Sequence, residues 1–334
     1  MSIHQKHDNQ TDGTKGCQLN RMENAKKKSG HGHSHGTIDS KIITTDRGKW
    51  AVKWSFAILM ATACLQVIIV YVSGSVALLA DTVHNFGDAL TSIPLWIAFV
   101  LVRRKPNKRF TYGYGRMEDL AGAFIILVIL VSAITAGYKS IDRFIHPATV
   151  RNLWTVVAAA FIGFLGNEWV ARFRIKVGKE INSAALVADG KHARVDGLTS
   201  LGVLIGVLGI WMGYPMADPI AGVFITLAIF RIVWTSGKSV FFRMLDGINP
   251  STVDEIRDSV AAMPAVHEVT EIRVRWIGHQ LHAEINITVK SDLTVAQGHD
   301  IAVAVKDEIL HHLPYLWDVI VHVDPKEASG ETHH

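Results

Sequence analysis

Apolar stretches long enough to cross a bilayer recur along this chain as far as Lys238, and two of them carry the same ionisable motif. Ala77–Ser92 reads ALLADTVHNFGDALTS, and Ala185–Ser200 reads ALVADGKHARVDGLTS. Each contains Asp-x-x-His-x-x-x-Asp: Asp81, His84 and Asp88 in the first copy, Asp189, His192 and Asp196 in the second. On a helix, positions i, i+3 and i+7 fall close to one face. Ionisable groups inside a membrane span are costly unless they face a cavity, pair with one another, or bind an ion. Two helices presenting these faces to each other would offer two imidazoles and two carboxylates to one divalent cation.

The chain is 49% hydrophobic with a mean hydropathy of +0.23, too apolar for an ordinary soluble enzyme. After Asn249 charged and apolar residues alternate in a soluble pattern. Residues 49–247 therefore read as a membrane transport domain and 248–326 as a soluble domain, followed by a tail over 327–334. Residues 1–48 form a polar tail with His4, His7 and the run His31-Gly-His33-Ser-His35, disordered by composition and able to bind metal weakly. That tail is read either as delivering ions to the membrane domain or as a dispensable buffer. The net charge of +4 is modest, and the basic residues gather beside the apolar runs, so a bilayer and not a nucleic acid is the expected partner. The two cysteines, Cys17 and Cys64, form no Cys-x-x-Cys pair, so neither a disulfide framework nor a thiolate zinc site is expected. No signal peptide is expected either, since no apolar segment follows the first charges.

Six spans are expected, at Trp50–Val72, Val76–Val102, Glu118–Ile145, Leu153–Phe173, Ser183–Met212 and Met216–Trp234. Lys26–Lys28, Arg47, Lys49 and Lys53 precede the first; Arg103, Arg104, Lys105, Lys108 and Arg109 fill the second-to-third loop. Arg172, Arg174, Lys176 and Lys179 are assigned to the fourth-to-fifth loop. The opposite loops hold only Lys139, Arg143 and Arg151, with no Lys or Arg around Gly213–Pro215. By the positive-inside rule both termini are cytoplasmic, in a cytoplasmic (inner) membrane. Gly202, Gly206 and Gly209 permit close helix approach and are given no functional role.

A single His in a membrane helix is more often a hydrogen-bonded structural residue than a ligand. The repeat changes that balance, because His at i and Asp at i+4 point the same way in both copies. His84, Asp88, His192 and Asp196 together make a tetrahedral N/O set suited to zinc, with bonds of roughly 2.0–2.2 Å. Imidazole also suits cobalt, nickel and copper, whereas magnesium and calcium prefer all-oxygen shells. With zinc bound, two carboxylates balance the ion and both histidines are neutral; without it, two protonated histidines balance the same carboxylates. The expected activity is therefore export of a divalent cation in exchange for protons, the ion being cargo and not a cofactor. Asp81 and Asp189, one turn earlier, read as a second shell or a waiting site, or else as caps at a solvated interface. Two other classes are weighed. A membrane metal sensor would bind without flux, and no output domain is visible; an intramembrane metalloenzyme would need an open coordination position, and His-Glu-x-x-His is absent from the sequence.

In the soluble part, Ser251–Met263 is a predicted helix opened by Ser251 as N-cap, with Asp254 and Glu255 in its first turn. Val266–Trp276 and His279–Lys290 alternate as strands around an Ile277-Gly278 turn; Val295–Leu313 is a second helix and Trp317–Val323 a third strand. The α-β-β-α-β order suits a small sheet covered by helices on one face.

At this point the sequence resembles bacterial members of the cation diffusion facilitator family, six-span divalent metal/proton antiporters. The resemblance covers nearly everything after about residue 45 and rests on Gly74-Ser-Val-Ala-Leu-Leu-Ala-Asp81, His84-x-x-x-Asp88, Tyr112-Gly-Tyr-Gly-Arg116 and His192-x-x-x-Asp196. It implies that His84, Asp88, His192 and Asp196 form the central transport site, with His at the first position favouring zinc. It implies also a metallochaperone-like cytoplasmic domain that forms a homodimer and binds metal there, with His299, His322 and Asp324 on matching positions and His282 as a further ligand. Thr270 and Asn286 depart from that pattern. Asn107, Phe110 and Tyr114 stand where some members carry loop ligands, so no metal site is expected in that loop. Arg116 falls where the family often has a Lys paired with an acid after the sixth span, and Asp246 is the matching partner for a hinge interlock.

Overall fold

The computed structural model describes residues 40–73, 86–87, 89–145, 153–214, 216–313 and 316–328. Six helices come first: α1 (Ser40–Ser73), α2 (Ser92–Val102), α3 (Arg116–Ile145), α4 (Leu153–Glu180), α5 (Ala184–Trp211) and α6 (Ala217–Met244). Five of them are long and apolar enough to cross a membrane, and α2 is the shorter apolar end of the expected second span. The rest of that span, with Asp81, His84 and Asp88, lies outside the described residues, as does the His-rich tail.

The helices run beyond the apolar stretches that predicted them. α1 starts before Trp50, α4 continues past Phe173 to Glu180, and α6 continues past Trp234 to Met244. Nothing in those charged extensions breaks a helix until Asn182, at φ 56°, and Asp246, at φ 58°, both left-handed positions that short polar side chains tolerate. The extensions pair across helices, Arg47 with Glu180 at 3.2 Å and Arg103 with Asp46 at 2.9 Å.

The membrane-domain core is apolar: Leu95, Phe99, Ile125, Ile129, Leu186, Val195 and Ile229 are buried together. Leu127, Ile134, Phe224, Leu227 and Trp234 point outward, a surface that lipid would cover. α5 sits among α2, α3, α4 and α6 and so carries its motif in the middle of the bundle. Its glycines make that possible. A Cβ on Gly190 would stand 2.8–2.9 Å from Ile175 and Arg174 of α4, and one on Gly206 would strike Asp218 of α6.

The second unit of structure is α7 (Pro250–Ala261), β1 (Glu268–Ile277), β2 (Gln280–Val289), α8 (Val295–His312) and β3 (Leu316–Pro325), ending in a 3-10 turn over Lys326–Ala328. The sheet order is β1-β2-β3, with β1 antiparallel and β3 parallel to β2; α8 is the crossover that parallel pairing requires. Ile256 and Val260 of α7 and Val305 and Ile309 of α8 pack on Leu281, Ile285 and Ile287. The opposite face is polar, with Glu271, Arg273, Glu284, Asn286 and His322 lining a shallow pocket of about 220 Å³.

Ser251 is not the cap of α7. Pro250 occupies the first helical turn, where its missing N–H costs nothing, and this moves the cap back to Asn249, whose side chain accepts from Ser251 N at 3.3 Å. Asp254 and Glu255 consequently fall beyond the first turn. α8 opens with a reciprocal Thr294–Gln297 capping box, a Thr-x-x-Gln signal present in the sequence.

Gly190→Val should overpack the α4–α5 contact by about 1–3 kcal/mol. Denaturation of the detergent-solubilised protein by SDS should show a correspondingly lower midpoint, and an unchanged midpoint would mean that this contact is looser than described.

Candidate metal centre

α5 begins cleanly. Ser183 caps it, its Oγ accepting from Leu186 N at 3.0 Å while donating to Glu118 of α3. From that start Asp189, His192 and Asp196 fall on one face, as their spacing requires. All three are buried, His192 at 1% and Asp196 at 6% exposure, and His192 Nδ1 lies 3.9 Å from Asp196 Oδ1. Among the described residues no group of three or more His, Cys, Asp or Glu side chains is placed to hold one ion. These residues of α5 thus offer one imidazole and one carboxylate, nitrogen and oxygen donors of the kinds that a borderline transition-metal ion takes. His84 and Asp88, which the sequence adds to them, lie outside the described residues.

Asp189 has a charged partner on the neighbouring helix. Arg174 Nη1 lies 2.9 Å from Asp189 Oδ2, both side chains fully enclosed. Arg174 Nη2 also donates to Ser92 Oγ on α2 at 2.8 Å. Counting Arg174 among the loop cations was therefore wrong: α4 stays helical through Glu180 and turns Arg174 inward. Asp189 neither caps α5 nor meets solvent.

The hinge residues and those of the C-terminal domain stand further off. Arg116 Nη2 meets Asp246 Oδ1 at 2.5 Å, with both side chains substantially exposed. Beside this pair, the β1–β2 hairpin tip enters a closed socket on the membrane domain. His279 Nδ1 is 2.6 Å from Glu118 Oε2, His279 Nε2 is 3.2 Å from Thr45 Oγ1, and the ring lies 5.9 Å from that of Phe99. The Gly278 and His279 backbone N–H groups donate to Asp119 and Glu118. Gly278 takes φ +64°, and a Cβ there would meet Gly115 O at 2.7 Å. Arg243 of α6 lies over the Trp276 ring at 4.3 Å and also donates to Asn182 O in the turn before α5. Glu118, His279, Arg243 and Arg174 were all missed from sequence. Glu118 opens a predicted span and His279 a predicted strand, Arg174 counts as a loop charge, and nothing in the sequence pattern singles out Arg243.

In the loop from α2 to α3, Asn107 is a structural hub: its Oδ1 accepts from Arg109 N and Phe110 N, and its Nδ2 donates to the Tyr114 hydroxyl at 2.7 Å. On β3, His322 Nε2 and Asp324 Oδ1 are 2.9 Å apart. His282 is not brought to them. Strand register sets His282 opposite Asp318, whereas Asn286 is the residue opposite His322. Burial pushes the Asp318 pKa up, but the Lys306 hydrogen bond at 2.9 Å and its charge outweigh this and hold the carboxyl below its usual range. His299 is exposed near the start of α8 and joins neither group.

A helical bundle with buried ionisable residues at its centre and a small α+β domain docked at one end defines a multi-pass membrane protein built to handle ions. Residues 52–245 match the cation efflux transmembrane domain, and residues 248–326 match the cation efflux protein cytoplasmic domain. The chain belongs to the cation efflux family. A Mycobacterium tuberculosis protein named a probable cation efflux system protein is 48% identical over 89% of this chain and 91% of its own length. An uncharacterized transporter of Methanocaldococcus jannaschii is 30% identical over 78% of this chain and 92% of its own. A manganese efflux system protein of Bacillus subtilis is 28% identical over 76% and 88%. Divalent metal efflux is accordingly the family activity.

His279→Ala removes all three ring contacts of the socket, whereas Asp246→Asn, which suits the left-handed backbone there, removes only an exposed ion pair, a class worth about 0–1 kcal/mol. Hydrogen exchange at the β1–β2 tip should rise more in the His279 variant. An equal rise in the two would place the docking energy elsewhere.

Proposed function

We propose that this chain exports divalent transition-metal cations from the cytoplasm in exchange for protons, zinc first, with cobalt, cadmium and nickel as further cargo. The transport site is His84, Asp88, His192 and Asp196. The observation that carries the reading is the burial of His192 and Asp196 one turn apart in a helix enclosed by four others. Two carboxylates balance a dication, two imidazolium ions balance the same carboxylates, and both loaded states are tolerable in a low-dielectric interior. Imidazole favours zinc and its neighbours over magnesium and calcium. The basic loops place both termini in the cytoplasm of a cell bounded by this inner membrane, with six spans between them.

Two chains pair through their cytoplasmic domains, a reading supported by the family match over 248–326. The partner then completes a metal site that His322 and Asp324 begin. Arg116–Asp246 acts as the hinge between the domains.

Zinc flux into proteoliposomes under an imposed pH gradient tests the transport site. The wild type should move zinc against the proton gradient, and Asp196→Ala should lose the flux; flux that survives the substitution removes Asp196 from the path. Calorimetry in buffers of different ionisation enthalpy should show up to about two protons released per metal, decreasing between about pH 6 and pH 8.5 as the histidines deprotonate. Release constant across that interval would rule out histidine as the acceptor. Reversing Arg116 and Asp246 together should restore flux that either single reversal loses, and absence of rescue would dissolve the hinge role.

A further inference from the structure

Arg174 brings a permanent positive charge into the interior on the cytoplasmic-loop side of the candidate transport site. It comes from α4, its ion partner Asp189 from α5, and its hydrogen-bond partner Ser92 from α2, so one guanidinium ties three helices. The level of the pair is fixed by the helix: Asp189 precedes His192 by three residues, about 4.5 Å of rise. The approach is close because α5 has Gly190 there, where a Cβ would stand 2.9 Å from Arg174 Cβ. An enclosed ion pair contributes little that a well-packed apolar pair of the same volume would not, so stability alone does not account for it. Its position on the metal-facing side of α5 does.

We propose that Arg174 is a positioning residue for metal transport. It balances the charge of Asp189 through the contact with Oδ2, keeps the carboxylate out of the ligand set, and keeps the ion's affinity low enough for release. The inference rests on the reading that His192 and Asp196 hold the ion. Without the guanidinium, Asp189 would stand as one carboxylate too many on a face where His192 and Asp196 already supply their half of the ligands. A dication would then be bound tightly and turned over slowly. Without Asp189, the guanidinium would be an unbalanced like charge beside the ion and would repel it through a medium that screens poorly.

The two single substitutions should therefore move metal affinity in opposite directions, which a purely structural pair would not do. Zinc binding to the full-length purified protein, measured by titration calorimetry, should tighten about tenfold or more in Arg174→Gln and weaken about tenfold or more in Asp189→Asn. In proteoliposomes, Arg174→Gln should lower KM and maximal flux together. Arg174→Lys, which keeps the charge, and the neutral double variant R174Q/D189N should both bind zinc within about threefold of wild type. Shifts in the same direction for both single variants would overturn the proposal. If the singles do not elute as folded protein, the double variant decides: zinc affinity close to wild type supports the proposal, and an affinity changed more than about tenfold makes Asp189 a ligand and overturns it. Asp196→Ala is the separate control. Zinc binding unaffected by that change removes the transport-site reading itself, whatever the pair does.

Discussion

A charge enclosed by apolar helices has to be neutralised where it stands, and this requirement organises the molecule from the membrane interior outward. Arg174 and Asp189 answer each other across α4 and α5. Glu118 answers His279 where the β1–β2 hairpin meets α3. Removing one member of an enclosed pair costs on the order of 3–5 kcal/mol, because the survivor is left unbalanced. Arg174–Asp189 bridges two consecutive helices and Glu118–His279 joins α3 to the β1–β2 hairpin, so the pairs constrain how the helices rotate about their axes. His192 and Asp196 inherit their orientation from that arrangement.

The same logic links the cytoplasmic domain to α5. Trp276 on β1 supports Arg243, Arg243 holds the carbonyl of Asn182, and Asn182 lies in the turn that ends at the α5 cap, Ser183. Ser183 in turn donates to Glu118, which grips the hairpin tip. Two chemically different routes thus run from the sheet of the cytoplasmic domain to the start of the helix that bears His192. The exposed Arg116–Asp246 pair sits beside them, and solvent screening leaves it the weakest of the three.

Much of this was legible in the amino-acid order. The long apolar runs set the helices, because a backbone in lipid must satisfy its hydrogen bonds internally. The alternation in Val266–Trp276 and His279–Lys290 set the strands, and a family pattern pointed to Asp246 as the partner of Arg116. Helix ends were less legible, since hydropathy marks where lipid stops and not where hydrogen bonding stops; α4 carries three cations past the apolar run without breaking. Arg174 shows the cost of that difference, for the same residue is a loop charge by composition and an interior cation by periodicity. His282 shows another: strand pairing register decides which side chains share a site, and pattern alone does not supply register.

The hairpin tip carries a consequence for how this architecture can vary. Gly278 faces Gly115 with no room for a side chain, and its N–H reaches a carboxylate 159 residues away in sequence. The cytoplasmic domain is therefore not an appendage that can be traded freely between relatives. A functional chimera would have to carry Gly115–Asp119 together with Ile277–His279, as lock and key cut from one blank.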